Sequence, residues 1–229
     1  MKPLARKLII GVAVLAIGAV AGPWVYINLI KEDAPDQLRL EPVAQTAVET
    51  TIADTTSTID GTWAIATDSI VGYRVKEVIV AQSTEGVGRT SAVQGTLNIA
   101  GEQVTEAEFS VDMTTLKSDS SRRDKQVNTR ILDTATYPTA TFTLKQPITL
   151  TPEALAGSDL TTQATGTLTL RGVTKDIELT LIARLANDVI EVNGSIEIIF
   201  ADWSIPDPSI SAIVVEDRGQ LEFLLRFTR

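Results

Sequence analysis

The side chains able to do acid–base or metal chemistry in this chain are almost all carboxylates, because the sequence contains no histidine and no cysteine. This composition excludes thiol nucleophiles, disulfides, serine–histidine–aspartate triads and the usual zinc ligand sets. Two carboxylate pairs remain as candidates. Glu108 and Asp112 share one face of a predicted strand, and Asp119 and Asp124 lie in a predicted helical segment. Paired carboxylates can act as acid and base at suitable separations.

Both pairs fit a solvated surface better than a catalytic site. Glu108 alternates with apolar neighbours, and polar strand positions of that kind face water. A calcium site from Asp119, Asp124 and Asp133 is conceivable, but no D-x-[DN]-x-[DN]-G loop is present. The sequence therefore predicts no enzyme, no metal site and no cofactor.

Arg123 and Asp124 are neighbours in the same segment. An arginine beside a carboxylate at the mouth of a cavity could contact the polar head group of a ligand. The same two residues could instead form an ion pair that ties a helix end to the rest of the domain. Both interpretations remain open at this point.

The elements that position these residues are predicted to be strands. In residues 164–183, two segments with an apolar residue at every second position meet across a short turn that contains Gly172. This pattern indicates a hairpin with one apolar face. Six further segments alternate in the same way and begin at residues 69, 93, 107, 140, 190 and 221. Eight such strands favour a closed antiparallel barrel over a sandwich, because closure removes exposed edges.

The apolar faces of these strands contain many small residues. Gly95, Gly166 and Gly194 lie at apolar strand positions, where a missing side chain permits a tight bend or leaves space for a ligand. A barrel of about eight strands is just wide enough to be filled by side chains or to hold one slender ligand. The many small inward residues favour a hollow barrel.

One segment, residues 113–137, breaks the alternation. Ser120 or Ser121 is a suitable helix cap, and Val127 and Ile131 lie four residues apart. The segment is predicted to form a short helix across one end of the barrel.

The first 58 residues differ in composition from the rest. Residues 8–30 carry no charge, follow a basic segment at 1–7 and precede a segment with acids, which predicts a transmembrane anchor with a cytoplasmic N-terminus. A signal peptide cleaved after Ala21 is the alternative, giving a secreted protein. Residues 31–58 are predicted to be a flexible linker, and residues 59–229 an extracytoplasmic barrel domain.

The net charge of −9 argues against nucleic acid as a partner. Binding to phosphates needs a basic patch, and all 29 acids lie beyond residue 30, in the predicted domain and its linker.

Four short motifs in order carry a resemblance to a known family. They are D-S-I-V-G-Y-R-V-K at 68–76, S-R-R-D at 121–124, Y-P-T-A-T-F at 137–142 and G-T-L-T-L-R-G-V-T-K at 166–175. With this spacing the chain resembles the YceI-like family of exported, lipocalin-like β-barrels. The resemblance implies an apolar cavity that holds a polyisoprenoid chain, such as an isoprenoid quinone. Two positions depart from the family pattern, since Asp68 and Glu77 stand where many relatives have histidine.

The functional prediction is a membrane-anchored binding protein that holds a polyisoprenoid or similar long apolar lipid. The alternative is an interaction module whose mouth loops dock a partner protein of unknown identity. Arg123 and Asp124 are the candidate head-group contacts. The predicted cavity lining consists of inward-facing residues from all eight predicted strands: Val71, Tyr73, Val93, Leu97, Phe109, Val111, Phe142, Leu168, Leu179, Ile196, Phe200 and Phe223.

Overall fold

The structure, a computed structural model, describes residues 34–41, 59–79, 82–211 and 213–229. The predicted cytoplasmic segment 1–7, the predicted anchor 8–30 and most of the predicted linker lie outside the described residues. In the described ranges, no helix is both long enough and apolar enough to cross a membrane.

The described residues form thirteen strands and two short α-helices. The strands are β1 (Gly61–Ile65), β2 (Ile70–Ile79), β3 (Gln82–Thr90), β4 (Val93–Ala100), β5 (Gln103–Asp112), β6 (Lys117–Ser118), β7 (Thr139–Leu144), β8 (Ile148–Thr149), β9 (Leu160–Leu170), β10 (Val173–Ala186), β11 (Val189–Ile199), β12 (Ile213–Val215) and β13 (Arg218–Thr228). The helices are α1 (Ser121–Gln126) and α2 (Pro152–Leu155), and short helical turns cover Met113–Thr115, Val127–Ile131 and Phe200–Trp203.

The strands close into an antiparallel barrel. The order runs β1-β4-β5-β7-β9-β10-β11-β13, and β13 pairs with both β1 and β2 to complete the ring. β1 and β2 lie end to end along β13, and β3 and β4 follow them in the same way. If β1–β2, β3–β4 and β5–β6 are each counted as one bent continuous strand, these three and β7, β9, β10, β11 and β13 make eight strands, as the sequence predicts.

The hairpin predicted at residues 164–183 is formed by β9 and β10, which pair over eleven positions from Leu160 to Leu170. Its two turn residues, Arg171 and Gly172, have φ angles of +50° and +73°. Two successive positive φ angles match the twist of the flanking strands, and glycine at the second position adopts this conformation without strain.

β1 and β3 are absent from the eight predicted segments, and β3 shows why. Its inward positions include Gly86 and Gly88, so it lacks the apolar alternation on which the prediction depends. The ring of Tyr73 on β2 occupies the space above Gly88, where an added Cβ would lie 2.4 Å from Tyr73 Cε1. A neighbouring strand therefore supplies the side chain that β3 does not have.

The predicted helix is confirmed as α1. The side chain of Ser120 caps it by accepting a hydrogen bond from the backbone N–H of Arg123, which satisfies one of the unpaired N–H groups of the first turn. A turn of π-helix, Val127–Ile131, continues it, and Val127 is buried. α1 thus lies at the end of the barrel where β5 ends and β7 begins.

Residues 34–41, part of the predicted linker, run along the outer wall of the barrel. Backbone carbonyls of Pro35, Leu38 and Glu41 accept hydrogen bonds from side chains of the strands.

Candidate functional site: an apolar cavity with a polar region near α1

The barrel encloses a cavity of about 470 Å³. This volume falls in the range of roughly 300–1,000 Å³ typical of small-molecule sites. The lining is almost wholly aliphatic and aromatic, and it includes residues from both ends of the barrel, such as Ile79 near α1 and Leu155 in α2. The cavity is therefore long as well as apolar.

All twelve residues predicted to line a cavity do face this one. They come from β2, β4, β5, β7, β9, β10, β11, β13 and the turn Phe200–Trp203, and the antiparallel register brings them onto a common inner surface. Phe109 and Phe142 stack with ring centroids 5.9 Å apart, and Phe109 also meets Phe227 at 5.7 Å. Contact of these residues with a ligand stays a prediction.

The inward glycines do not create the empty volume that the sequence suggests. An added Cβ on Gly166 would lie 2.2 Å from the ring of Phe142, and one on Gly194 would lie 2.6 Å from Phe223 Cζ. Each glycine leaves space that an aromatic ring from the adjacent strand fills. The cavity lies beyond these rings, so they shape its wall.

One region of the wall is polar, at the end covered by α1. Glu77, only 4% exposed, accepts a hydrogen bond of 2.7 Å from Arg123 Nη2. Arg123 Nη1 pairs with Asp119 one helical turn earlier. Gly86 leaves room for this guanidinium, since an added Cβ there would lie 3.1 Å from Arg123 Nε. Burial works against the charge of Arg123, but the carboxylates of Glu77 and Asp119 outweigh it and raise the pKa of the guanidinium.

Tyr73 adds a hydrogen-bond donor to this region. Burial raises the pKa of its hydroxyl well above the ordinary value, with smaller contributions from the nearby charges, so the group stays protonated at physiological pH. Among the described residues, the hydroxyl has no hydrogen-bond partner. It is therefore available to a bound molecule.

The structure separates the two predicted head-group contacts. Arg123 lines the cavity, whereas the carboxylate of Asp124 accepts hydrogen bonds from the backbone N–H and the hydroxyl of Ser118, at 2.8 and 2.7 Å. Asp124 thus braces the start of α1. Glu77 and Asp119 are the partners of Arg123 that the sequence did not assign. Asp119 and Arg123 lie four residues apart at the start of a predicted helix, and this spacing is the sequence signal that could have indicated their ion pair.

The other carboxylate candidates have structural surroundings. Glu108 and Asp112 are exposed on β5, and Asp112 caps the turn Met113–Thr115. Across the described ranges, no group of three or more Asp, Glu, His or Cys side chains is arranged to hold a metal ion.

Comparison with known proteins agrees with this architecture. The family model of the YceI-like domain matches residues 46–227. A polyisoprenoid-binding domain from Saccharophagus degradans, implicated in plant cell wall breakdown, has a similar fold, with a TM-score of 0.59, 22% identity, and coverage of 74% of this chain and 98% of that one. BcnA from Burkholderia cenocepacia follows with a TM-score of 0.52, 17% identity, and coverage of 68% and 95%. A comparison with curated proteins gave no match.

At these identities the solved structures establish the shared fold alone. The family match covers most of the chain and includes all four motifs of the sequence resemblance. The chain therefore belongs to the YceI-like family.

Proposed function

We propose that this protein binds a long apolar lipid, of the polyisoprenoid class, inside the barrel. The observation that carries the proposal is the cavity of about 470 Å³ with a nearly continuous apolar lining. An apolar chain placed there leaves water, which contributes roughly 25 cal/mol per Å² of apolar surface buried. The polyisoprenoid-binding domain with the same fold supports the lipid class.

The head group of the lipid is an uncharged hydrogen-bond acceptor, such as a carbonyl or a hydroxyl. Tyr73 offers a protonated donor at the polar end of the cavity. Arg123 is already paired with Glu77 and Asp119, so the protein itself compensates its charge. The head group of an isoprenoid quinone or alcohol can accept a hydrogen bond from Tyr73 without displacing these ion pairs.

The protein acts where an anchor at residues 8–30 would hold it, on the outer side of a cell membrane. The uncharged run and the basic residues before it support this location. Binding, without catalysis, is the activity that the surroundings of the carboxylates favour.

A pair of substitutions on one strand tests the lipid proposal. Ala164 lines the cavity and is 2% exposed, whereas its neighbour Thr165 points away from it. Ala164→Phe should abolish uptake of a fluorescent prenyl probe, and Thr165→Phe should leave it unchanged. Circular dichroism checks that both variants fold. Organic extraction of the purified wild-type protein, followed by mass spectrometry, identifies the natural lipid.

Wild-type protein that takes up no probe and yields no lipid would overturn the proposal. An interaction module that binds a partner through its mouth loops would then be the better interpretation.

A further inference from the structure

The outer wall of the barrel carries charged groups that are buried, which is unusual for a surface facing water. Arg74 on β2 and Glu222 on β13 point away from the cavity, yet they are 5% and 2% exposed. Glu222 accepts hydrogen bonds from Arg74 and, at 2.8 Å, from Arg89 on β3. Long charged side chains are rarely buried unless each polar atom is paired. Something outside the barrel must cover them.

Residues 34–41 provide that cover. They cross the wall without regular secondary structure, and four of their backbone carbonyls accept hydrogen bonds from side chains of the barrel. The donors lie on four different strands: Arg74 Nη2 donates to Pro35 O at 2.6 Å, Arg89 to Asp36 O, Asn193 Nδ2 to Leu38 O at 2.9 Å, and Arg184 Nη1 to Glu41 O at 2.7 Å.

The dimensions agree with a crossing roughly perpendicular to the strands. From β3 to β10 there are four strand spacings of about 4.8 Å, or roughly 19 Å. Five extended residues, from Asp36 to Glu41, reach roughly 17 Å. The segment therefore has about the length needed to connect its two outermost donors, Arg89 on β3 and Arg184 on β10.

Residues 34–41 cross the wall at the place where the barrel closes. β2 and β13 come from opposite ends of the domain, and their pairing, from Gln220–Arg74 to Leu224–Ile70, closes the ring without a connecting hairpin. We call this pairing the seam. Two of the donors, Arg74 and Arg89, lie on one side of the seam, and the other two, Asn193 and Arg184, lie on the opposite side.

We infer that the outer wall is a docking surface for an extended peptide and that residues 34–41 of the same chain occupy it. Bound there, these residues hold β2 and β13 together across the seam, and we call this arrangement the clasp. Recognition is through main-chain carbonyls, so the wall selects an extended backbone more than a particular sequence. Gln37 and Arg39 agree with this, since their side chains are exposed. The cooperative domain consequently includes residues 34–41, which lie before the family match at 46–227.

An isosteric substitution tests the docking. Asn193 donates to Leu38 O and also to Phe223 O. Asn193→Asp replaces both N–H groups by an acceptor of the same shape, so the carboxylate repels the carbonyls. In the full-length protein in detergent, trypsin should cut after Arg39 about tenfold faster in this variant, as expected for loss of roughly 1.4 kcal/mol of docking free energy. Asn98→Asp, at a half-buried position on β4 where the amide hydrogen-bonds with Thr62 and Glu106 and not with residues 34–41, is the control and should cleave at the wild-type rate.

A deletion tests the clasp. Removing residues 34–41 from the full-length chain should speed hydrogen exchange of the β2 and β13 backbone amides at the seam and lower the melting temperature. Removing residues 46–53, which shortens the chain equally, should do neither.

Two results would overturn the inference. The first is equal cleavage after Arg39 in all three proteins together with unchanged seam exchange after the deletion of 34–41. The second is a wild-type dimer that becomes monomeric on that deletion, because the occupant would then come from a second copy.

Discussion

At the scale of single residues, the cavity combines an apolar wall with one short polar region. Tyr73, Arg123 and Glu77 are polar side chains of that region, which also contains Ser120, Arg122 and Gln126, and the ion pair of Arg123 with Glu77 is structural as well. Arg123 ties α1 to β2 through Glu77, while the hydroxyl of Tyr73 stays available. The two side chains are therefore expected to respond differently to substitution.

Tyr73→Phe removes only the donor. We expect affinity for a prenyl quinone or alcohol to fall about threefold to tenfold, the value of one neutral hydrogen bond, with the melting temperature nearly unchanged. Affinity for a hydrocarbon of the same length without a head group should stay the same. Fluorescence titration with the two ligands gives the comparison. An equal loss for both ligands would show that the hydroxyl makes no head-group contact.

Arg123→Ala breaks a largely buried ion pair. The expected loss of stability is roughly 3 kcal/mol, the low end for a buried pair, because the Arg123 side chain is partly exposed. Glu77→Gln in the same background should restore part of the loss, since the buried carboxylate is then neutral. Urea denaturation measures both. A normal denaturation midpoint with lost binding of the prenyl ligand would instead make Arg123 a head-group contact.

At the scale of elements, the tight turns define the strand register. Gly172 in the β9–β10 turn and Gly101 in the β4–β5 turn have φ angles of +73° and +60°. They differ in their surroundings. An added Cβ on Gly172 would lie 2.5 Å from the ring of Tyr137, and one on Gly101 would meet nothing within 4 Å.

This difference gives a matched comparison. Gly101→Ala should cost about 1–2 kcal/mol of stability, the strain of a non-glycine residue in the left-handed region. Gly172→Ala should cost the same strain and roughly 1–3 kcal/mol more, because Tyr137 must move. Thermal denaturation of the two variants measures the difference, and equal losses would mean that Tyr137 moves without cost.

The sequence predicts the elements whose inward residues are apolar and misses those whose inward residues are supplied by a neighbour. β9, β10 and β11 alternate clearly and were predicted. β3 was missed because Gly86 and Gly88 accept Arg123 and Tyr73 from other elements. The twelve residues predicted to line a cavity do face it, because their inward positions follow from alternation, whereas the lining residues of α1 and α2 do not follow from that pattern.

The parts of the site that depend on long-range contacts were not predictable in this way. To predict Glu77 as the partner of Arg123, one must know that the Arg123 side chain of α1 reaches across β3 to β2. The docking of residues 34–41 has no side-chain pattern to detect, because the wall binds backbone carbonyls. Because residues 34–41 contain few large apolar residues, their composition is typical of a linker.

At the scale of the whole molecule, we expect a barrel connected to a membrane by a short tether. Only three residues separate the predicted anchor at 8–30 from the docked segment that starts at 34. These span at most about 11 Å when extended. The barrel would therefore stay close to the membrane surface, and its wall near β2 and β3 would be the nearest part.

Protease added to cells with permeable outer walls tests this arrangement. The barrel should be released only slowly, because the tether is short, and the N-terminal fragment should remain with the membrane. Inserting ten glycine and serine residues after Asp33 should speed the release. A mature protein that begins at Gly22 by N-terminal sequencing would mean that the segment is a cleaved signal peptide.

The clasp at the seam also has a consequence for the time course of folding. Its hydrogen bonds from Asn193 and Arg184 join residues 155 and 143 positions apart in the chain. During synthesis, residues 34–41 are made long before their partners on β10 and β11. Contacts of such long range form slowly, because the loop-closure entropy is lost before they can form. Residues 34–41 can therefore reach Arg74 and Arg89 early, but they reach Asn193 and Arg184 only after most of the barrel has been made, so we expect the complete clasp to form late in folding.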